Sequence, residues 1–217
     1  HLQWDEQGAI LRLQSGDTIR AGQVIVTVSL GLLQAGVPSF EPELPELKQR
    51  AISALEMGNS TKLMLWFDKP VWPDFTYLIT NGLVLAWWKI GTSQFPGLMG
   101  YTGGPRSRQL ADLGQAGAVA QGLAELRDLF GTKVDESFVT GRLVDWASDP
   151  WSRGSYSYTP VGAGNARADL AVPVHPTLYF AGEATADQGH LATVHGAIES
   201  GQRAADQVLA SHSPPSA

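Results

Sequence analysis

The chain has 217 residues, of which 43% are hydrophobic and 17% charged, so it can bury a core and is not intrinsically disordered. Its formal net charge of −6 and the absence of any Lys/Arg run argue against a nucleic-acid-binding protein or one that binds anionic membranes. The sequence contains no cysteine, which excludes disulfides, thiol catalysis and cysteine metal sites, and no apolar run approaches the ~18 residues of a membrane span.

The first 30 residues are predicted to be rich in β-structure. Two hairpin-like strands turn at Ser15 to Asp17, and a buried strand follows over Val24 to Val28. The chain opens with neither an initiator Met nor the layout of a signal peptide. We therefore expect it to be cut from a longer protein.

The rest of the chain alternates helices with strands. Glu46 to Met57 and Ala116 to Phe130 have apolar residues at helical spacing. Strands are predicted in TKLMLWFDKPVW, LVLAWWKI, GLMGYTGG and SFVTGRLVDW. A long loop, YTPVGAGNARADLAVPV, leads to a short buried strand, TLYFAG, and to a last helix over Thr193 to Ser211. The predicted fold class is α+β, with a mixed, largely antiparallel sheet flanked by helices.

The strand TLYFAG ends on Gly182 and is followed by a carboxylate, Glu183, and then by a helix that opens with small residues. Small residues let a ligand approach the backbone, and a helix N-terminus carries partial positive charge, so this pattern favours a nucleotide site. Ordinary packing produces the same pattern. The G-x-G-x-x-G fingerprint is absent: its nearest match, GAGNAR at Gly162 to Arg167, lacks the third glycine and is predicted to precede no clear helix, so we assign it to a loop.

Three segments together resemble the flavin-dependent amine oxidase family, which includes polyamine and spermine oxidases, monoamine oxidases and the lysine-specific histone demethylase. They are Val24 to Trp72, Asp145 to Gly162 and Leu178 to Ala205, in the order that the family has them. The resemblance covers nearly the whole chain. It implies oxidation of a C–N bond of an amine to an imine, with FAD as the cofactor and O2 reduced to H2O2.

The third segment is implied to close over FAD. By resemblance, Gly182 and Glu183 meet the ribityl and diphosphate region of the cofactor. Ala192, Thr193 and Val194 lie at the start of the helix against the isoalloxazine ring, where the helix dipole would stabilise negative charge on the reduced flavin.

The second segment is implied to supply an aromatic cage. Without the resemblance, the aromatic residues of SDPWSRGSYSY would be interpreted as core. By resemblance, Tyr156 guides the amine nitrogen, Trp151 and Ser155 line the flavin edge, and Trp146 lies in the substrate cavity. Thr193 stands where monoamine oxidases carry a second cage tyrosine, which implies a more open cage and a polyamine-like substrate.

Lys62 opens the apolar strand TKLMLWF. A lysine at this place is ordinarily a solvated strand end. By resemblance, it matches the catalytic lysine of the family, which holds a water against flavin N5.

The resemblance also divides the chain into segments. Residues 1–30 are expected to end a segment of a Rossmann-like FAD-binding domain, 31–147 to form the substrate-binding domain, 148–210 to form the C-terminal FAD-binding segment, and 211–217 to be a disordered tail. The unit that carries G-x-G-x-x-G in this family is missing from the chain. The expected partners are therefore a small-molecule amine, O2 and an N-terminal FAD-binding half, which would come from the same precursor or from a partner chain. Without that half the chain is expected to be inactive. Neither nucleic acid nor membrane is expected as a partner. The cytoplasm is the favoured compartment.

Two alternatives stay open. An L-amino-acid oxidase of the same superfamily would need a cation for the substrate carboxylate, and Arg142 and Arg153 are the only arginines near the cage residues in sequence. A non-enzymatic binding module derived from the substrate domain would need neither the cage nor Lys62. No metal site is predicted, since His175, His190 and His195 do not have ligand spacing.

Overall fold

The computed structural model of the chain describes residues 1–174, 176–187 and 189–212. The chain forms two compact units. The first consists of His1–Met57 together with the chain from Pro150 onward, and the second is the continuous segment Gly58–Asp149. Residues 31–57 thus pack with the first unit, although the resemblance assigned them to the substrate-binding segment; the functional names of the segments stay predictions.

The first unit contains a small mixed sheet and a separate parallel strand pair. The strands are β1 (Leu2–Asp5), β2 (Gly8–Arg12), β3 (Thr18–Ala21), β4 (Val24–Val26), β5 (Phe40–Glu41), β6 (Glu56–Gly58), β12 (Tyr156–Tyr158) and β13 (Leu178–Phe180). The sheet has the order β3-β2-β1-β5, in which only β1 and β5 run parallel. The pair β4 and β13 is parallel and joins two segments distant in sequence, and β12 pairs with β6.

Helices surround these strands. They are α1 (Leu30–Gln34), α2 (Glu46–Ala54), α6 (Ala166–Ala171), α7 (Val194–His212) and a 3-10 turn over Glu183–Thr185. The core between them is apolar and includes Leu30, Leu55, Leu170 and Phe180. Because all three residues of β13 are buried, the strand carries no polar face, as expected for a parallel strand covered on both sides.

The second unit is an antiparallel sheet covered by helices on one face. The elements are β7 (Ser60–Phe67), β8 (Leu78–Ile79), β9 (Ala86–Gly91), β10 (Pro96–Gly103), α3 (Pro105–Asp112), α4 (Gly114–Phe130), α5 (Lys133–Ser137) and β11 (Phe138–Asp145). The strand order of the sheet is β11-β7-β10-β9-β8. Burial alternates along β7, so Leu63, Leu65 and Phe67 pack against Leu110 and Leu126 of the helices.

The opposite side of this sheet, here called the open face, carries the other set of alternating residues. The strand register places on it the side chains of Lys62, Met64 and Trp66 from β7, Thr140, Arg142 and Val144 from β11, Met99 and Tyr101 from β10, and Trp88 and Ile90 from β9. The three helices of the unit pack on the other face.

The predicted α+β class is confirmed, and the differences lie in short helices. The helix predicted over Glu46 to Met57 ends at Ala54, since Glu56–Gly58 pairs as a strand. The segment predicted to be a long loop contains α6, which begins inside GAGNAR, so that match does precede a helix. The last helix runs through Ser211 and His212, and residues 213–217 lie outside the described part. No helix among the described residues combines the length and the apolar character that crossing a membrane requires.

Candidate functional site

A cavity of about 260 Å³ lies at the carboxyl ends of β4 and β13 in the first unit. Ligands of open sheets with parallel strands bind at this edge, because the loops that leave the strands diverge there. Gly182 lies just after β13, and the polar part of the lining comes from Thr27, Ser29, Ser155, Glu183 and Thr185. The cavity therefore combines backbone that can be approached closely with several hydrogen-bonding groups.

Gly182 adopts a conformation that side chains disfavour, with φ of +122°. Its amide donates a hydrogen bond to Oγ of Ser200 on α7 (2.9 Å), and its carbonyl lies 3.1 Å from the same hydroxyl. A Cβ at this position would meet only the Thr27 carbonyl, at 3.9 Å. The constraint at Gly182 is thus the backbone angle, and the space beside it stays open to the cavity.

The Glu183 carboxylate is oriented by β12. Its Oε1 accepts a hydrogen bond from the Ser157 amide (3.0 Å) and its Oε2 accepts one from the Ser157 hydroxyl (2.8 Å). A carboxylate can accept about four hydrogen bonds, so both oxygens keep capacity for a ligand hydroxyl. Period-two alternation turns Tyr156 and Tyr158 to the side opposite the buried Ser157.

Arg167 of α6 lies under this carboxylate. Its guanidinium donates hydrogen bonds to Oγ1 of Thr159 (2.8 Å), to Oγ of Ser157 (2.9 Å) and to the backbone carbonyl of Glu183 (3.3 Å). Burial lowers the pKa of Arg167, and the charge of the Glu183 carboxylate opposes that shift. The result is a buried cation that holds Ser157, and through it Glu183, in place.

The start of α7 is fixed by Thr193. Its hydroxyl accepts a hydrogen bond from the Gly196 amide (3.1 Å) and donates one to the carbonyl of His190 (2.7 Å). This is the geometry of a threonine N-cap, with the helix beginning at Val194. Ala192, immediately before the cap, has φ of +57°, a left-handed conformation that costs an alanine about 1–2 kcal/mol.

The predicted site residues of the first unit fall into three groups. Ser155, Gly182 and Glu183 line the cavity. Ala192, Thr193 and Val194 lie at the N-terminal end of α7, and Ala197 of the same helix lines the cavity. Trp151 and Tyr156 expose 69% and 41% of their surface.

Lys62 and Trp146 belong to the second unit. Lys62 is half-buried in the middle of the sheet, paired in register with Tyr101 on one side and Val144 on the other. Trp146 follows directly after β11 and is 37% exposed. Lys62 therefore lies within a regular strand and is not a solvated strand end.

Sequence analysis missed Ser157 and Arg167. Ser157 could have been found from the alternation of Tyr156, Ser157 and Tyr158, which hides a small polar residue between two tyrosines. Arg167 lies in a segment that glycine and proline mark as a loop, although the run Ala166–Ala171 consists mainly of good helix formers.

Histidines form a pair but not a metal site within the described residues. Nδ1 of His190 lies 2.6 Å from the Glu199 carboxylate, and the rings of His190 and His195 are 4.7 Å apart. No group of three or more possible ligands occurs in the described ranges. His175 lies outside them.

Comparison with known proteins agrees with this architecture. Residues 1–209 match the family model described as flavin containing amine oxidoreductase. The chain is 33% identical, over 88% of its length, to a possible lysine-specific histone demethylase 1 of Drosophila melanogaster, and covers 24% of that protein. It is 37% identical, over 92% of its length, to polyamine oxidase 4 of Oryza sativa subsp. japonica, and covers 42% of it. The chain thus spans less than half the length of these curated relatives.

Solved structures share the fold. Wild-type putrescine oxidase bound to putrescine superposes with a TM-score of 0.83 at 24% identity, over 96% of this chain and 47% of that one. Cyclohexylamine oxidase from Brevibacterium oxydans IH-35A gives 0.81 at 23% identity, over 95% and 46%. The resemblance stated from the sequence is confirmed. The chain belongs to the family of flavin containing amine oxidoreductases.

Proposed function

We propose that the chain forms the C-terminal catalytic portion of an FAD-dependent amine oxidase. The observation that carries the proposal is the cavity at the carboxyl ends of β4 and β13, which Ser155, Gly182 and Glu183 line, in a chain that matches the family over residues 1–209. In the reaction, the carbon next to nitrogen loses hydride and the nitrogen loses a proton, giving an imine. O2 gains these two hydrogens to become H2O2, and water converts the imine to a carbonyl compound and a shorter amine.

The residues present fit a flavin dinucleotide. The Gly182 backbone leaves room for close approach, and Glu183 retains acceptor capacity for sugar hydroxyls. Trp151 and Ser155 would contact the ring edge, as would Ala192, Thr193 and Val194 at the start of α7. When bound, FAD would supply the two-electron acceptor that no side chain of the protein can replace.

The chain would contribute orientation of the amine and one positioned water molecule. Tyr156 would form the cage wall that guides the amine, with Trp146 in the substrate cavity. Lys62, held within β7, would keep a water molecule in place. An aromatic wall attracts a cationic amine by about 0.5–2 kcal/mol and excludes bulk water.

The proposal includes an N-terminal half that supplies G-x-G-x-x-G, from the same precursor or from a partner chain. Its support is length: the chain covers 42% of rice polyamine oxidase 4 and 47% of the putrescine oxidase chain. Without such a segment we expect weak flavin binding and no turnover.

The first test is the visible absorption spectrum of the chain, alone and with FAD, and then with the N-terminal half supplied. Flavin bands that survive desalting in the assembled protein, together with peroxide formed from an amine panel, are the expected result. An assembled protein that stays colourless would overturn the proposal.

Lys62→Met tests the role of the lysine. We expect the flavin bands to persist and turnover to fall severely. Lys69→Met, at an exposed lysine just beyond β7, is the matched control and should leave turnover unchanged. Unchanged turnover in Lys62→Met would remove Lys62 from the mechanism.

A further inference from the structure

Ser29 connects the start of α1 to a loop that is distant in sequence. Its hydroxyl is the N-cap of α1 and accepts a hydrogen bond from the Leu32 amide (3.2 Å). The same hydroxyl donates a hydrogen bond to the carbonyl of Ser152, which is 2.6 Å away and 123 residues further along the chain. A single hydroxyl therefore caps the helix and holds the loop, because it can accept and donate at the same time.

Gly31 brings the backbone of α1 against the same loop. A Cβ on Gly31 would lie 2.5 Å from the carbonyl oxygen of Arg153 and 3.0 Å from that of Ser152. Gly31 lies within the helix, so the reason for a glycine here is the close approach of two backbones. Backbone carbonyls cannot move aside as the end of a flexible side chain can, and any side chain at position 31 would displace the loop.

The loop that α1 contacts, residues 150–155, is here called the return loop, because the chain re-enters the first unit at Pro150. Arg153 has φ of +51°, a left-handed conformation that is unfavourable for an arginine, and Gly154 follows with φ of +143°. A residue in such a conformation persists only where its surroundings hold it. The contacts of α1 with the carbonyls of Ser152 and Arg153 hold it here.

The chain beyond the return loop is fixed as well. Ser157 is bound to the Glu183 carboxylate through both its amide and its hydroxyl. Only residues 154–156 separate this anchor from the contacts with α1. One of them, Ser155, lines the cavity, as does Ser29 itself. This part of the cavity wall is therefore held between two anchors, of which α1 supplies one and Glu183 the other.

We propose that Ser29 and Gly31 are positioning residues for the flavin, because they hold the return loop that carries Trp151 and Ser155. The two contacts together are here called the α1 clamp. The inference rests on the proposed function, which places Trp151 and Ser155 at the edge of the flavin ring. Trp151 is 69% exposed, so the position of its ring depends mainly on the backbone that carries it.

Three variants of Ser29 separate the clamp from the helix cap. Aspartate is a good N-cap acceptor but carries no proton to donate at pH 7, so Ser29→Asp keeps the cap and breaks the bond to Ser152. Ser29→Thr keeps both interactions, and Ser29→Ala loses both. The measurement is the rate of trypsin cleavage after Arg153 in the chain without flavin, followed by mass spectrometry. It is divided by the rate of cleavage after Arg50, on α2 of the same unit, so that global unfolding cancels.

We expect this cleavage ratio to rise about tenfold in Ser29→Asp and in Ser29→Ala, and to keep the wild-type value in Ser29→Thr. Proteolysis follows the population of the locally opened loop, and a tenfold change is the size expected for one lost hydrogen bond. A ratio that rises in Ser29→Ala but not in Ser29→Asp would assign the effect to the cap and overturn the clamp.

Gly31→Ala tests the backbone contact independently. Alanine is a better helix former than glycine, so without the contact this substitution would tighten α1 and lower the cleavage ratio. The clamp predicts the opposite, a rise of about tenfold, because the new Cβ would push the Arg153 carbonyl away. Gly201→Ala in α7, where a Cβ would meet no atom within 4 Å, is the matched control and should leave the ratio unchanged. A lower ratio in Gly31→Ala would contradict the clamp.

Titration of FAD into the chain assembled with its N-terminal half tests the positioning role. We expect a Kd for FAD about tenfold higher in Ser29→Asp than in wild type, with Ser29→Thr binding as wild type does. A raised cleavage ratio with unchanged FAD affinity would overturn the positioning role. If the assembled wild type takes up no FAD, the proposed function fails and the positioning role fails with it, while the cleavage ratio still decides whether the α1 clamp exists.

Discussion

The Arg167 guanidinium is the side chain on which the geometry of the cavity depends. It donates to three acceptors on three residues, and it is only 8% exposed. Removing it would leave Ser157 and the Glu183 carbonyl without their buried donor. We expect Arg167→Met to lower the free energy of unfolding by about 2–4 kcal/mol, measured by urea denaturation.

Arg50→Met is the control for this prediction. Arg50 pairs with Glu46 on an exposed turn of α2, 2.8 Å apart. Such surface pairs contribute about 0.3–0.5 kcal/mol, so the control should unfold almost as wild type does. Equal losses in the two variants would show that the Arg167 network does not stabilise the first unit.

Lys48 is a second buried cation, and its ionisation predicts a pH dependence. Its Nζ donates to the carbonyls of Asp169 (2.9 Å), Leu170 (2.7 Å) and Val172 (2.5 Å) at the end of α6. Burial lowers the pKa of Lys48 to about 7; Asp169 raises this pKa and Arg203 lowers it.

Between pH 7 and the ordinary lysine pKa of 10.5, the unfolded chain is protonated at Lys48 while the folded chain is not. Folding therefore releases a proton in this window, and rising pH stabilises the folded state. Below pH 7 both states carry the proton, so the contribution to the slope vanishes. The stability of the wild type relative to Lys48→Met should rise by up to about 1.4 kcal/mol per pH unit from pH 7 to 10, measured by urea unfolding. A difference that stays constant across this range would contradict the lowered pKa.

At the scale of elements, α7 depends on its first turn. The Thr193 cap satisfies the Gly196 amide, one of the four donors that a helix leaves unpaired at its start. We expect Thr193→Ala to destabilise the chain by about 1 kcal/mol and to increase hydrogen exchange at the first amides of α7, whereas Thr193→Ser should retain the cap. Unchanged exchange in Thr193→Ala would mean that tertiary packing alone holds this turn.

Periodic elements could be predicted from the sequence, and short ones could not. The helix Gly114–Phe130 and the alternating strand Ser60–Phe67 contain enough repeats for their pattern to stand out. The helix Pro105–Asp112 follows two glycines, and its proline suggests a turn although proline is favoured in a first helical turn. The helices α1 and α6 have too few residues to show a period, and tertiary contacts hold them.

The candidate site could likewise be predicted from the sequence only in part. Gly182 and Glu183 were predicted as site residues because they directly follow a buried strand. Other lining residues, such as Thr27, Ser29 and Leu170, come from distant segments. Ser157 reaches the Glu183 carboxylate, and Arg167 reaches Ser157, only through folding, since the three residues belong to three different elements. The position of Lys62 opposite Val144 likewise depends on the register of β7 with β11, which no local pattern specifies.

At the scale of the whole molecule, each compact unit has its own core. The core of the first unit is built from both ends of the chain, through the pairing of β4 with β13. The core of the second unit is built only from residues between Leu63 and Leu143. The second unit is therefore a continuous segment that buries its own apolar surface, whereas the first needs two segments distant in sequence.

We expect residues 58–149, expressed alone, to fold and to unfold in one cooperative transition. The buried Trp87 and the edge contact between Phe67 and Trp72, with ring centroids 5.0 Å apart, should give a near-ultraviolet circular dichroism signal that urea abolishes. Leu65→Ala should lower the stability of this fragment by about 2–5 kcal/mol, because it empties the centre of the sheet. A fragment with helical far-ultraviolet but no near-ultraviolet signal would show that the sheet needs the first unit to pack.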